Sequence, residues 1–118
     1  MAIAEIKNVE LVRNEAKELV TAVAVDASAG AKVNYTNKSC GKILLLLTNS
    51  NSATKKATIL KGNALQGVED LEISIPTNKT YAIVVESGKF MNVSGPNKGH
   101  VVIKGETADI KIQAVELP

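Results

Sequence analysis

One histidine and one cysteine among 118 residues bound the chemistry this chain can perform alone. A serine nucleophile needs a base in reach, so a Ser-His-Asp arrangement has to be built around His100. His100 follows a turn and precedes a valine run, which suits a surface or strand-edge side chain. Cys40 has no second cysteine to pair with, and with His100 alone it cannot complete a Cys/His zinc site within one chain. A bland buried thiol is the expectation. Glycoside hydrolysis asks for two facing carboxylates in a cleft. Glu69, Asp70 and Glu72 are local candidates, but acids clustered in a loop before a strand are ordinarily solvated charges.

Two glycine-bounded loops invite a phosphate or anion reading. Gly62-Asn-Ala-Leu-Gln-Gly67 has the outer glycine spacing of a phosphate loop, but Val68 stands where the lysine belongs and Glu69 where the hydroxyl belongs. Ser94-Gly-Pro-Asn-Lys-Gly99 offers backbone donors, yet a tight turn accounts for it. A calcium loop of alternating acids is absent. The expectation is a protein without cofactor, metal or catalytic activity.

Charge and aromatic content narrow the binding classes. The net charge is +2, and the 13 lysines and Arg13 are scattered among the acids. Tyr35, Tyr81 and Phe90 are the only aromatic residues. Nucleic-acid binding without sequence preference needs a basic groove and stacking rings, and both are scarce here. A carbohydrate-binding sandwich would also be expected to carry stacking aromatics. The opening MAIAEIKNVELVRNEAK has no long apolar h-region, and no stretch reaches the roughly 18 apolar residues of a membrane span. Synthesis in the cytosol and no membrane partner are therefore expected. Without a secretory signal, the Asn-x-Ser/Thr triplets at Asn34, Asn37, Asn78 and Asn92 read as turn and strand-edge residues instead of glycosylation sites.

The elements that must position these residues are strands. Isoleucine, valine and threonine make up 31 of the 118 residues, and β-branched side chains fit a pleated sheet better than a helix. Alternation at a period of two predicts strands over residues 17–25, 31–35, 42–48, 57–61, 71–75, 81–85, 90–93, 100–104 and 108–117. Turns fall at Asp26-Ala-Ser-Ala-Gly30, Thr36-Asn-Lys-Ser-Cys-Gly41, Asn49-Ser-Asn-Ser-Ala-Thr-Lys-Lys56, Pro76-Thr-Asn-Lys79 and residues 94–99. Eight or nine short strands at roughly ten-residue spacing predict an all-β, single-domain fold, a two-sheet β-sandwich or jelly roll. A chain of this length has room for one core.

Two regions read as partner-binding. Residues 1–14 look like an N-terminal arm or first edge element ahead of a sandwich spanning residues 15–118. Ile3, Ile6 and Val9 lie outside the clear hairpins, and an arm of this kind is expected to be mobile until it binds. A helical stripe through Ile3, Ile6, Val9, Val12, Ala16 and Leu19 is the alternative. In Lys42-Ile-Leu-Leu-Leu-Leu-Thr48 both faces are apolar. Ile43, Leu45 and Leu47 should point opposite to Leu44 and Leu46. One set should fill the core, and the other should meet a second sheet, a covering segment or a neighbouring subunit.

From Ile43 to the end, the order of features resembles that of small bacteriophage head decoration, or cement, proteins. The shared features are an aliphatic strand ending in Asn49, the Lys61-Gly-Asn63 segment followed by Gly67, and Ile75-Pro-Thr-Asn78 before a strand. Ser87-Gly-Lys-Phe-Met-Asn92, a glycine-rich turn and a closing strand ending in Leu117-Pro118 complete them. The resemblance covers the last two thirds of the chain. It implies a virion protein that binds the major capsid protein in the assembled shell, often as a trimer, through an arm and one edge of the sandwich. It carries over no catalytic residue. A phage tail or fibre module is the main alternative, and a carbohydrate-binding sandwich the next.

Overall fold

The computed structural model describes residues 3–19, 22–25, 28–36 and 42–118. Ten strands are present among these residues: β1 (Ala4–Ile6), β2 (Asn8–Glu10), β3 (Val23–Ala24), β4 (Ala31–Asn34), β5 (Ile43–Asn49), β6 (Lys55–Ile59), β7 (Leu71–Ile75), β8 (Thr80–Ile83), β9 (His100–Gly105) and β10 (Ile110–Glu116). A single helical turn, α1 (Ser87–Phe90), joins β8 to β9. The first sheet has the order β1-β4-β9-β6-β7; the second runs β2-β10-β5-β8, with β3 also paired to β10. The chain is an all-β sandwich of two mixed sheets. Apart from the β6-β7 hairpin and the step from β2 to β3, each consecutive pair of strands changes sheet.

Alternation builds the core. Ile43, Leu45, Leu47 and Asn49 of β5 are fully buried, while Leu44, Leu46 and Thr48 are only half-buried. Across the interior lie Val33 of β4, Val101 and Ile103 of β9, and Ala57 and Ile59 of β6, all in one buried cluster with Ile110, Ile112 and Ala114 of β10. Tyr35 is the one aromatic fully inside, and Phe90 packs on the cluster from its margin. An aliphatic core of this kind gains about 1.5 to 3 kcal/mol per fully buried side chain.

The N-terminal segment is laid down as two edge strands and not as a free arm. Residues Ala4–Ile6 pair in parallel with β4, the Ala4 N–H reaching the Gly30 carbonyl at 3.2 Å. Lys7 then crosses between the sheets, and Asn8–Glu10 pair in parallel with the end of β10. Ile6 sits beside Val33 and is only 3% exposed. Burial of Ile6, at about 1.5 to 3 kcal/mol, does not by itself offset the chain entropy of ordering this segment, and acts together with the ladder hydrogen bonds to β4 and β10. The helical alternative for this region is likewise not adopted.

Two other expectations change. Among the described residues, the strand read over residues 17–25 is reduced to Val23–Ala24, and residues 15–19 are exposed without strand pairing. β2 already occupies the edge of β10 from Ala114 to Glu116, which leaves Ile110 to Gln113; of these Lys111 and Ile112 pair with β3, and the Ile110 carbonyl accepts the Val25 N–H at 2.9 Å. Val20 and Thr21, and residues 37–41 with Asn37 and Cys40, lie outside the described residues. The strand read over residues 90–93 is instead α1 followed by a lone bridge from Met91 to Val101. Next to it β9 is taken by β4 on one side and by β6 from Ile103 onward on the other, which leaves space for a single bridge.

Candidate functional site on the second sheet

The residues with catalytic or ligating chemistry are spread over the molecule. The His100 ring has Nδ1 3.0 Å from the Lys98 carbonyl and Nε2 3.9 Å from a Glu5 carboxylate oxygen on β1. Glu69, Asp70 and Glu72 are all exposed, and the Asp70 carboxylate accepts the Lys61 backbone N–H at 2.8 Å. Among the described residues no group of three His, Cys, Asp or Glu side chains is placed to hold a metal ion.

The glycine loops serve packing. A Cβ on Gly62 would run into the Met91 carbonyl, and one on Gly67 into the Gly62 carbonyl. The Gly62 N–H donates to the Lys89 carbonyl at 2.9 Å. Asn63 accepts the Val93 N–H at 2.7 Å and donates to the Ser94 carbonyl at 3.0 Å. The Asn92 side chain donates to the His100 carbonyl at 3.1 Å. Lys61-Gly-Asn63 and Phe90-Met-Asn92, two of the features that carry the family resemblance, therefore fasten the loops at one end of the sandwich to one another.

Asn49 is the buried polar residue that composition and motif reading passed over. Its Nδ2 donates to the carbonyls of Ala53 at 2.9 Å and Ile75 at 2.8 Å, and its Oδ1 accepts the Asn51 N–H at 2.8 Å. It ties the end of β5 to the end of β7 in the other sheet. Its place at the end of an aliphatic run was visible in the sequence; its partners were not.

A cleft of about 400 Å³ opens between the edges of the sheets, lined by Leu71 of β7, residues 83–85 and Phe90. Glu69, Asp70, Glu86 and Lys89 stand around it. Its polar groups are exposed, so it offers an apolar notch with a solvated rim.

The larger feature is the outer face of the second sheet. Register sets Val9, Val115 and Leu44 in one row. Carried one residue past β8, the same register puts Val84 next in that row. Gln113, Leu46 and Ala82 form the second row, and Lys111, Thr48 and Thr80 the third. Val115, 4% exposed, is buried yet lies outside the core cluster, as this placement requires. Lys111 is the only charge in the three rows. Of the five residues read as partner-binding, Val9, Leu44 and Leu46 meet on this face. Ile6 belongs to the core and is removed from the site. Ile3, half-buried ahead of β1, lies with the first sheet.

No protein-family model, curated protein or solved structure matches the chain.

Proposed function

We propose that this chain is a non-catalytic structural protein of a virion, which binds an assembled phage capsid and stabilises it. The observation that carries the reading is the apolar outer face of the second sheet, where Val9, Leu44, Leu46, Ala82 and Val84 stand together around the buried Val115. A sheet face facing only water is normally polar, so this one suits contact with apolar surface on neighbouring coat subunits. The resemblance from Ile43 onward supplies the identity of that partner. Binding confined to the assembled shell would stabilise it by mass action in proportion to occupancy.

The test is co-sedimentation with assembled shells of the major capsid protein encoded in the same genome. Wild-type protein is expected to sediment with the shells, and Leu44→Lys/Leu46→Lys to remain in the supernatant while still melting cooperatively. Failure of the wild type to sediment, or equal binding by the double variant, would overturn the proposal.

A further inference from the structure

We infer that β8 is the pairing edge of a two-fold homodimer, in which residues 80–84 of two copies run antiparallel and join their second sheets into one.

The backbone of β8 is poised for this. The Asn49 N–H donates to the Lys79 carbonyl at 3.1 Å and its carbonyl accepts the Asn78 N–H at 2.8 Å, so Asn49 turns both backbone groups to this side, at the head of the run of hydrogen-bonded pairs between β5 and β8. Such pairs alternate along an antiparallel ladder, which directs the backbone groups of Tyr81 and Ile83 toward β5. The side-chain hydroxyls of Thr48 and Thr80 approach to 2.9 Å, as befits the closer, non-hydrogen-bonded pair between. The N–H and C=O groups of Thr80, Ala82 and Val84 therefore point away from the sheet. Among the described residues these groups make no backbone hydrogen bond outside the ladder with β5.

Exposed edges are normally protected by a charge, a proline or a bulge. β1, β2 and β7 each carry an acid, at Glu5, Glu10 and Glu72. β8 and the two residues after it carry neither charge nor proline. Thr80, Tyr81 and Ala82 are exposed, and Val84 is 48% exposed. This edge is long enough and bare enough to template another strand.

Self-complementarity selects a second copy as the occupant. A two-fold axis through Ala82, perpendicular to the sheet, keeps outward faces together. It sets Thr80 opposite Val84 of the other copy, Ala82 opposite Ala82, and Tyr81 opposite Ile83. The outward-pointing backbone groups at 80, 82 and 84 then meet one another in hydrogen-bonded pairs. Lys79 precedes the segment and Glu86 follows it. Antiparallel pairing lays Glu86 of each copy beside Asn78 and next to Lys79 of the other, bringing unlike charges to both ends. On the outer face, Leu46 and Ala82 of the two copies become one continuous apolar strip. The pairing is two-fold, unlike the trimer implied by the family resemblance, and does not depend on what the outer face binds.

The experiment is sedimentation equilibrium of the full chain and two variants. Wild type is expected at twice the chain mass. Ala82→Lys, which places like charges opposite each other at the axis, should give the chain mass with a cooperative melt retained. Ala82→Cys in a Cys40→Ser background should yield a covalent dimer with a short bismaleimide, since paired Cα atoms lie about 5.5 Å apart. A wild-type monomer or trimer would overturn the inference. So would a dimer that survives Ala82→Lys, or an Ala82→Cys dimer that the bismaleimide fails to cross-link; the cross-link decides if the lysine variant fails to fold.

Discussion

The two sheets share a core but turn different surfaces outward. On the first, register sets Glu5 beside Lys32, Asn34 opposite His100, and Lys104, Thr58 and Glu72 in a row. Val102 and Leu60 sit among them as a buried and a half-buried apolar residue. On the second, three rows contain one charge, Lys111, and present leucine, valine and alanine. Both sheets satisfy the requirement of an apolar inner face, so folding alone does not explain the difference. Water is sufficient as the neighbour of the first outer face. The second is the face that the proposed function sets against another protein.

The largest expected effect separates the two faces of β5. Leu45 is fully buried, so Leu45→Lys forfeits about 1.5 to 3 kcal/mol of apolar burial and forces a charge out of water at several kcal/mol more. That sum is comparable with the whole stability of a small domain, and no cooperative thermal transition is expected. Leu44→Lys, on the outer face of the same strand, should melt within about 1 kcal/mol of wild type. A folded Leu45→Lys protein, or an unfolded Leu44→Lys protein, would reverse the assignment of the two faces.

Next in size is the N-terminal strand pair. Ile6→Ser empties a core position between the sheets and should cost about 2 to 5 kcal/mol, read as a fall in the midpoint of denaturant unfolding. Ile3→Ser, at a half-buried position before β1, should cost under about 1 kcal/mol. Equal and small effects at both positions would mean that β1 contributes nothing to the sandwich. The first sheet would then end at β4, and the comparison of outer faces would lose its Glu5-Lys32 row.

These contrasts show which parts of the fold could be read in the residues. β5 was legible because seven consecutive positions alternate between a full and a partial burial environment, and leucine suits both. β7 and β10 were legible for the same reason, with clear turns around them. β1 and β2 were not, because three residues are too few to show a period, and the crossing at Lys7 that sends Ile6 inward and Val9 outward is set by β4 and β10. β3 is short because β2 already occupies the edge it would extend along. The candidate surface was half legible: Leu44, Leu46 and Val9 were recognisable as surplus apolar residues. Their meeting around Val115 depends on strand order, which no local pattern encodes.

Asn49 offers a smaller but sharper probe, since it links the sheets without contributing to either outer face. Asn49→Ala leaves the carbonyls of Ala53 and Ile75 and the N–H of Asn51 without their side-chain partner. At about 1 to 3 kcal/mol for a buried group left unsatisfied, partly relieved by water at the loop, a loss of about 2 to 3 kcal/mol is expected in denaturant unfolding. Thr48→Val, one residue earlier on the outer face, removes only the exposed hydroxyl contact with Thr80 and should change stability by under about 0.5 kcal/mol. Similar losses at the two positions would indicate that the outer face contributes structurally as much as the interior does.

The smallest expected effect tests whether the charged outer face of the first sheet is merely solvated. Glu5 stands on β1 beside Lys32, with a carboxylate oxygen 3.9 Å from His100 Nε2, and its side chain is 66% exposed. Such a contact, an ion pair only when His100 is protonated and open to water on the Glu5 side while the His100 side chain is 16% exposed, contributes about 0 to 1 kcal/mol, and less in salt, because water and mobile ions screen it. Glu5→Gln keeps the shape of the side chain and removes its charge. It should therefore lower stability by no more than about 0.5 kcal/mol in moderate salt, with the difference shrinking as salt is raised. The check is a pair of denaturant titrations at low and high ionic strength. A loss well above about 1 kcal/mol that persists in high salt would mean that Glu5, Lys32 and His100 act as a desolvated network. The first sheet's outer face would then also be more than a solvated surface, and the contrast on which the proposed partner face rests would fail.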